Sequence, residues 1–231
     1  MPEINIDGPD GRFSAYLAVP AKLLAPAIVV AQEIFGVNQV MRDVCDWLAE
    51  QGYLACCPDI FWRIEPGIQI TDKTDAEWKR AFELFSLFDP DKGIEDLKAT
   101  IDHLRSHPDC NGKVGSIGYC LGGKLAFLMA TRTDSDCNIS YYGVGLDALL
   151  DEANAISRPL IMHVAALDKF VPPEAQAKIT TGLKGHPQVE LHVYKGCDHA
   201  FARVGGEHYD EAAARLANDR SIHFLKENLG T

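Results

Sequence analysis

The hydrophobic pattern switches repeatedly between the period of a strand and that of a helix. Phe13 to Val19 alternates weakly and predicts an edge strand, and the β-branched run Ala27 to Ala31 predicts a buried one. Val40, Met41, Val44, Trp47 and Leu48 share one face at helical spacing. Tyr53 to Cys57 predicts the next strand, stopped by Pro58, which cannot donate to a ladder. Residues 62–75 carry no clear period and predict a surface excursion. Helices are predicted over 75–88 and 91–106, the second lined by Ile94, Leu97, Ile101 and Leu104. A strand over Lys113 to Tyr119 leads to a helix over Leu121 to Thr131. Strands follow at Asn138 to Tyr142, Pro159 to Ala165 and Val189 to Tyr194, with helices near 173–184 and 208–228. Strands alternating with helices imply an α/β fold, a mainly parallel central sheet with helices on both faces. No repeat, low-complexity stretch or linker interrupts it, so one domain over residues 1–231 is expected.

Composition narrows the partners. A chain of 231 residues with 47% hydrophobic residues can bury a large core, and its net charge of −11 argues against nucleic acid, which needs a basic face. Seven cysteines, an odd number, show no Cys-x-x-Cys pair or zinc spacing. Free thiols in a reducing compartment follow, with no metal and no cofactor. The first residues, Met-Pro-Glu-Ile-Asn-Ile-Asp, lack a charged head before an apolar core, and no run reaches membrane-spanning length. A cytoplasmic monomer that binds neither nucleic acid nor membrane is the expectation.

The chemistry is concentrated at residues 115–123, Gly-Ser-Ile-Gly-Tyr-Cys-Leu-Gly-Gly. Gly118-x-Cys120-x-Gly122 has the form of a nucleophile elbow, a tight strand-to-helix turn with cysteine at its apex. Glycines on either side relieve the crowding, and the sulfur points out at a helix N-terminus that favours negative charge. The competing reading is a glycine-rich turn around a buried structural cysteine. Asp168 follows Cys120 by 48 residues and His199 follows Asp168 by 31, in the order acid then histidine. Each comes after a predicted strand, where open α/β sheets place their ligands. Singly, Asp168 reads equally as a helix cap and His199 as one of eight histidines; jointly they form a nucleophile, acid and base set. His163, inside a strand, reads as a satisfied buried histidine, and the acidic, Ala-rich last helix as a solvated face.

These stretches resemble the dienelactone hydrolases, compact α/β-hydrolases. The likeness is carried by Ala31-Gln-Glu-Ile-Phe-Gly-Val-Asn38, Gln51-Gly-Tyr53, Cys57-Pro-Asp59, Asn111-Gly-Lys-Val114, Gly118-Tyr-Cys-Leu-Gly-Gly123, Tyr141-Tyr-Gly-Val-Gly145, Asp168 with Phe170-Val-Pro172, and His199-Ala-Phe-Ala-Arg203. The resemblance implies a single-domain α/β-hydrolase fold and a Cys120–His199–Asp168 triad that opens an enol-lactone through an acyl-thioester. It also implies that Glu33 keeps the resting thiol largely neutral until substrate displaces it. The backbone N–H groups of Ile34 and Leu121 would then form the oxyanion hole. Glu33 ends an apolar strand, where a carboxylate is costly unless it has a task.

The pocket is where the sequence departs from the family pattern. The resemblance assigns the substrate carboxylate to two arginines. Arg203 matches one of them, and the other falls at Trp78. A family tyrosine is replaced by Phe82, while Phe35 and Tyr142 match lining positions. A less cationic, more apolar pocket is expected. The alternatives are a carboxylesterase of more apolar range and a non-catalytic binding protein on the same fold.

Overall fold

Ile4 and Ile6 alternate with Asn5 and Asp7, then Gly8-Pro-Asp-Gly11 supplies a turn. In a computed structural model, which describes residues 3–230, this segment forms strand β1, Glu3–Gly8. It pairs antiparallel with β2, Gly11–Ala18, placing Ile6 opposite Phe13. The segment at Phe13 to Val19 is therefore no edge strand. β2 lies between β1 and β4 (Leu54–Pro58), and the polar residues of β1 hide its strand character from a hydrophobicity scan.

The other strands are β3 (Ala25–Ala31), β5 (Cys110–Tyr119), β6 (Asn138–Tyr141), β7 (Leu160–Ala165) and β8 (Val189–Tyr194). Hydrogen bonding orders the eight as β1-β2-β4-β3-β5-β6-β7-β8. β1 and β2 pair antiparallel, as do β2 and β4, whereas the pairs β3/β4, β6/β7 and β7/β8 are parallel. The backbone groups into two compact units, one up to Ser116 and one over Ile117–Gly230.

In the first unit β3 and β4 are buried throughout, which explains their unbroken apolar runs. Helices α1 (Gln39–Glu50), α2 (Asp75–Leu87) and α3 (Pro90–Arg105) start on Asn38, Thr74 and Asp89, whose side chains accept from the first-turn N–H groups. The 62–75 excursion is mostly exposed but buries Ile68. Gly36 bridges Gln69, Ile70 N–H donates to Phe35 O at 3.0 Å, and Asn38 Nδ2 donates to Ile70 O at 2.9 Å. The loop after β3 is thereby fixed. Gly36 has φ 79°, and a Cβ there would lie 1.8 Å from Ile68 O, so only glycine fits.

The second unit holds α4 (Leu121–Arg132), α5 (Pro173–Gly182) and α6 (Glu211–Leu229). Short 3-10 turns over Leu146–Ala148 and Leu150–Ala155 carry no period that sequence could show. α6 is more than a solvated face, since it buries Ala217, Ser221, Phe224 and Leu225. Ser221 Oγ meets His163 Nε2 at 3.0 Å and Tyr141 Oη at 2.7 Å, while Tyr194 Oη meets His163 Nδ1 at 2.8 Å. His163 is thus buried with both nitrogens partnered, as its sequence context suggests. Among the described residues, no helix is long and apolar enough to cross a membrane.

Candidate active site

Cys120 stands between β5 and α4 with φ 57° and ψ −114°, a conformation that a residue with a Cβ adopts only under constraint. Its N–H donates to Tyr141 O at 3.1 Å, and its carbonyl accepts Lys124 N–H at 3.1 Å as the first helical bond. A Cβ on Gly118 would fall 1.9 Å from Gly122 O, and one on Gly123 would fall 2.4 Å from Tyr141 O. Both contacts are with backbone, so the glycines are steric requirements of this turn. Cys120 is buried, and Leu121, the first residue of α4, has an amide among the four that a helix start leaves without intrahelical partners.

Asp168 and His199 converge because β7 and β8 run parallel in register from Leu160↔Val189 to Ala165↔Tyr194. The strands therefore end level. Ala166 N–H donates to Tyr194 O at 3.1 Å and Leu167 N–H to Cys197 O at 2.9 Å, joining the two loops. His199 Nδ1 then lies 2.8 Å from Asp168 Oδ2, with both side chains buried. The carboxylate accepts, so Nδ1 carries a proton. Asp168 Oδ1 accepts the Phe170 N–H at 2.8 Å, which fixes the carboxylate plane.

Nε2 of His199 is buried and has no aligned hydrogen-bond partner. Burial pulls the imidazole pKa down. The electrostatic influence of the neighbouring Cys120 and the hydrogen bond to the Asp168 carboxylate outweigh it and raise the pKa from 6.5 to about 10. Cys120 is thus among the groups that influence the imidazole, while Nε2 itself makes no aligned hydrogen bond, as is common in unliganded sites. Two rings stand T-shaped to the imidazole, Tyr142 at 5.1 Å and Phe170 at 4.8 Å. Tyr142 adopts φ 37° and donates its N–H to His163 O at 2.8 Å, tying it to β7. Arg203 is buried in the turn after His199, its N–H on Ala200 O at 2.9 Å.

The remaining sequence candidates belong to the first unit. Glu33, Ile34 and Phe35 are buried in the loop after β3. Phe35 packs T-shaped on Trp78 at 5.1 Å, and Trp78 stacks on Phe82 at 5.5 Å. Trp78 Nε1 donates to Asp72 O at 3.0 Å, so its ring is oriented, while Phe82 stays nearly half exposed. Sequence reasoning missed Phe170 as an individual contributor. The only available signal was its place two residues after the acid, where an Asp side chain commonly accepts a backbone N–H.

A cysteine with strained backbone at a strand-to-helix turn, and an aspartate hydrogen-bonded to a histidine on the loops after two later parallel strands, form the arrangement of an α/β-hydrolase. Comparison with known proteins narrows the class. The dienelactone hydrolase family model matches residues 13–229, and the chain belongs to that family. It is similar to a putative carboxymethylenebutenolidase of Azospirillum brasilense, 53% identical over 100% of both chains. It is also similar to a carboxymethylenebutenolidase of Pseudomonas putida, 43% identical over 96% of this chain and 94% of that one. Among solved structures, a putative dienelactone hydrolase from Klebsiella pneumoniae subsp. pneumoniae superposes with a TM-score of 0.83 at 25% identity, covering 98% of each chain. The protein is an enzyme, a carboxylic-ester hydrolase.

Proposed function

We propose that the chain opens enol-lactones or other activated carboxylic esters, of the kind that turns a dienelactone into a maleylacetate-type acid. The observation that carries this reading is the buried His199, hydrogen-bonded to Asp168 through Nδ1, in a chain whose Cys120 stands strained at a strand-to-helix turn. In the proposed sequence, His199 Nε2 takes the thiol proton as Cys120 Sγ bonds to the carbonyl carbon. The ring C–O bond breaks, and the proton passes from Nε2 to the leaving oxygen. Nε2 then takes a proton from water, whose oxygen attacks the thioester and expels Sγ. The acid product is released and the thiol is regenerated.

Thiolate leaves more readily than an alkoxide, so an ordinary ester intermediate reverts. An enol-lactone expels a stabilised enolate and proceeds. A cysteine nucleophile therefore favours activated esters over amides. The Leu121 amide, at the start of α4, is suited to stabilise the developing oxyanion. The resemblance gives Ile34 the matching donor and Glu33 the role of opposing thiolate formation. Both are buried in the loop after β3, which the Gly36–Gln69 bridge pins.

A second reading, an esterase for larger apolar acyl groups, is favoured by the Phe35–Trp78–Phe82 stack at a position the resemblance gives to an arginine. A screen of lactones and aryl esters, each with and without a carboxylate, separates the two. The lactone reading expects a carboxylated enol-lactone to have the highest kcat/KM, with the acyl group found on Cys120 by mass spectrometry. A neutral aryl ester at the top supports the esterase. An acyl group on any other residue overturns the cysteine mechanism.

A further inference from the structure

Phe170 touches both partners of the acid–base pair by different atoms. Its N–H holds Asp168 Oδ1 at 2.8 Å, and its ring lies 4.8 Å from the imidazole of His199 at an interplanar angle of 74°. The ring is nevertheless 46% exposed, whereas His199 is only 5% exposed. A half-exposed ring against a buried imidazole covers it from water. We propose that the Phe170 side chain is a positioning residue, an apolar cover that keeps the His199 imidazole dry and aligned on Cys120. The inference rests on the proposed pairing of Cys120 with His199.

The physical consequence is electrostatic. Attraction between opposite charges weakens steeply when water replaces an apolar neighbour. Among the described residues, titratable groups that act on or pack against the imidazole include Asp168 on the loop after β7, Cys120 at the elbow, and Tyr142 after β6, whose ring stands T-shaped to it. On its own loop, Asp198 Oδ1 accepts the His199 N–H at 2.7 Å and is paired with Lys169 and His208. Attraction outweighs burial in the intact protein, since the net effect on the imidazole is upward. Admitting water weakens the larger effect, so the imidazole should return toward its ordinary value.

Replacing the side chain leaves the Phe170 N–H in place, so the bond to Asp168 is retained. The test is an NMR titration of the His199 Cε1–H in the full chain, for Phe170→Ala, Phe170→Gln and Phe170→Leu. The resonance is assigned by its loss in His199→Gln. Ala and Gln should lower the His199 pKa by about one unit or more, while Leu, which restores an apolar cover, should hold it near the parent value. Gln keeps the reach of the side chain, which guards against collapse of the loop in the Ala variant. Equal shifts in all three variants, or none in any, overturn the inference. A separate titration of Cys120→Ala tests the underlying reading. If that variant leaves His199 unmoved, the pairing itself fails, whatever Phe170 does.

Discussion

The hydrogen bond from His199 to Asp168 decides which ring nitrogen is left unpaired, and the clearest tests of the proposed triad lie at that scale. Cys120→Ala should abolish ester turnover and leave no acyl adduct in intact-mass spectra of substrate-treated protein. His199→Ala should lower kcat by several orders of magnitude. Asp168→Asn should cost roughly 10³–10⁴ in kcat by spoiling the tautomer and orientation of the imidazole. Steady-state kinetics on one activated ester reads both, and near-parental kcat in either variant would mean that another base operates. At this scale the sequence was highly legible. The turn glycines stood out by type, and Asp168 and His199, which the fold hydrogen-bonds to each other, by their order. Phe170 did not, because its contribution comes from where a loop places one ring.

At the scale of elements, β6, β7 and β8 are held to α6 by the hydrogen bonds that meet at His163. Burial lowers the His163 pKa well below 6.5, with the nearby charges of His192 and Arg220 adding to it. The fold thus prefers neutral His163. Its contribution to stability is fully present above pH 6.5 and is lost as pH falls below that value, because the unfolded chain then binds a proton that the fold refuses. Urea unfolding at pH 7 and pH 5 should show the loss, with a slope of up to about 1.4 kcal/mol per pH unit from this residue. His163→Gln should flatten that slope. A second test concerns the elbow. Gly118→Ala forces a Cβ to within 1.9 Å of Gly122 O and should cost about 1–3 kcal/mol of stability. Turnover should fall with it, read by urea titration and by kcat. An unchanged midpoint would show that the turn accommodates a Cβ at this position.

For the molecule as a whole, the tests concern which ester it selects. A charge-assisted bond to a substrate carboxylate is worth roughly 1.5–3 kcal/mol, or about ten- to a hundredfold in kcat/KM. Arg203→Ala should impose that loss on carboxylated lactones and spare neutral esters. Trp78→Arg should raise kcat/KM for a carboxylated lactone and lower it for neutral aryl esters. Equal effects of both variants on charged and neutral substrates would place charge selection elsewhere. Trp78 could be singled out from sequence only through the family pattern, since its own helix gives it no special period. Its stack between Phe35 and Phe82 is a tertiary fact.

The sequence by itself determined the α/β alternation, the glycine-flanked turn at Cys120 and the order in which Asp168 and His199 follow it. Each of these is local, written in apolar periods, in glycines where a Cβ has no room, and in residue types suited to acyl transfer. Strand β1 escaped because two isoleucines among polar residues carry a weak period, and its pairing with β2 supplies what its composition lacks. Tertiary structure alone decided that β2 is an inner strand and that parallel register carries Asp168 and His199 to one level. It alone decided that an aromatic ring from the acid's own loop covers the imidazole. Strand pairing and side-chain burial join residues distant in the chain, and no window along the sequence contains both partners.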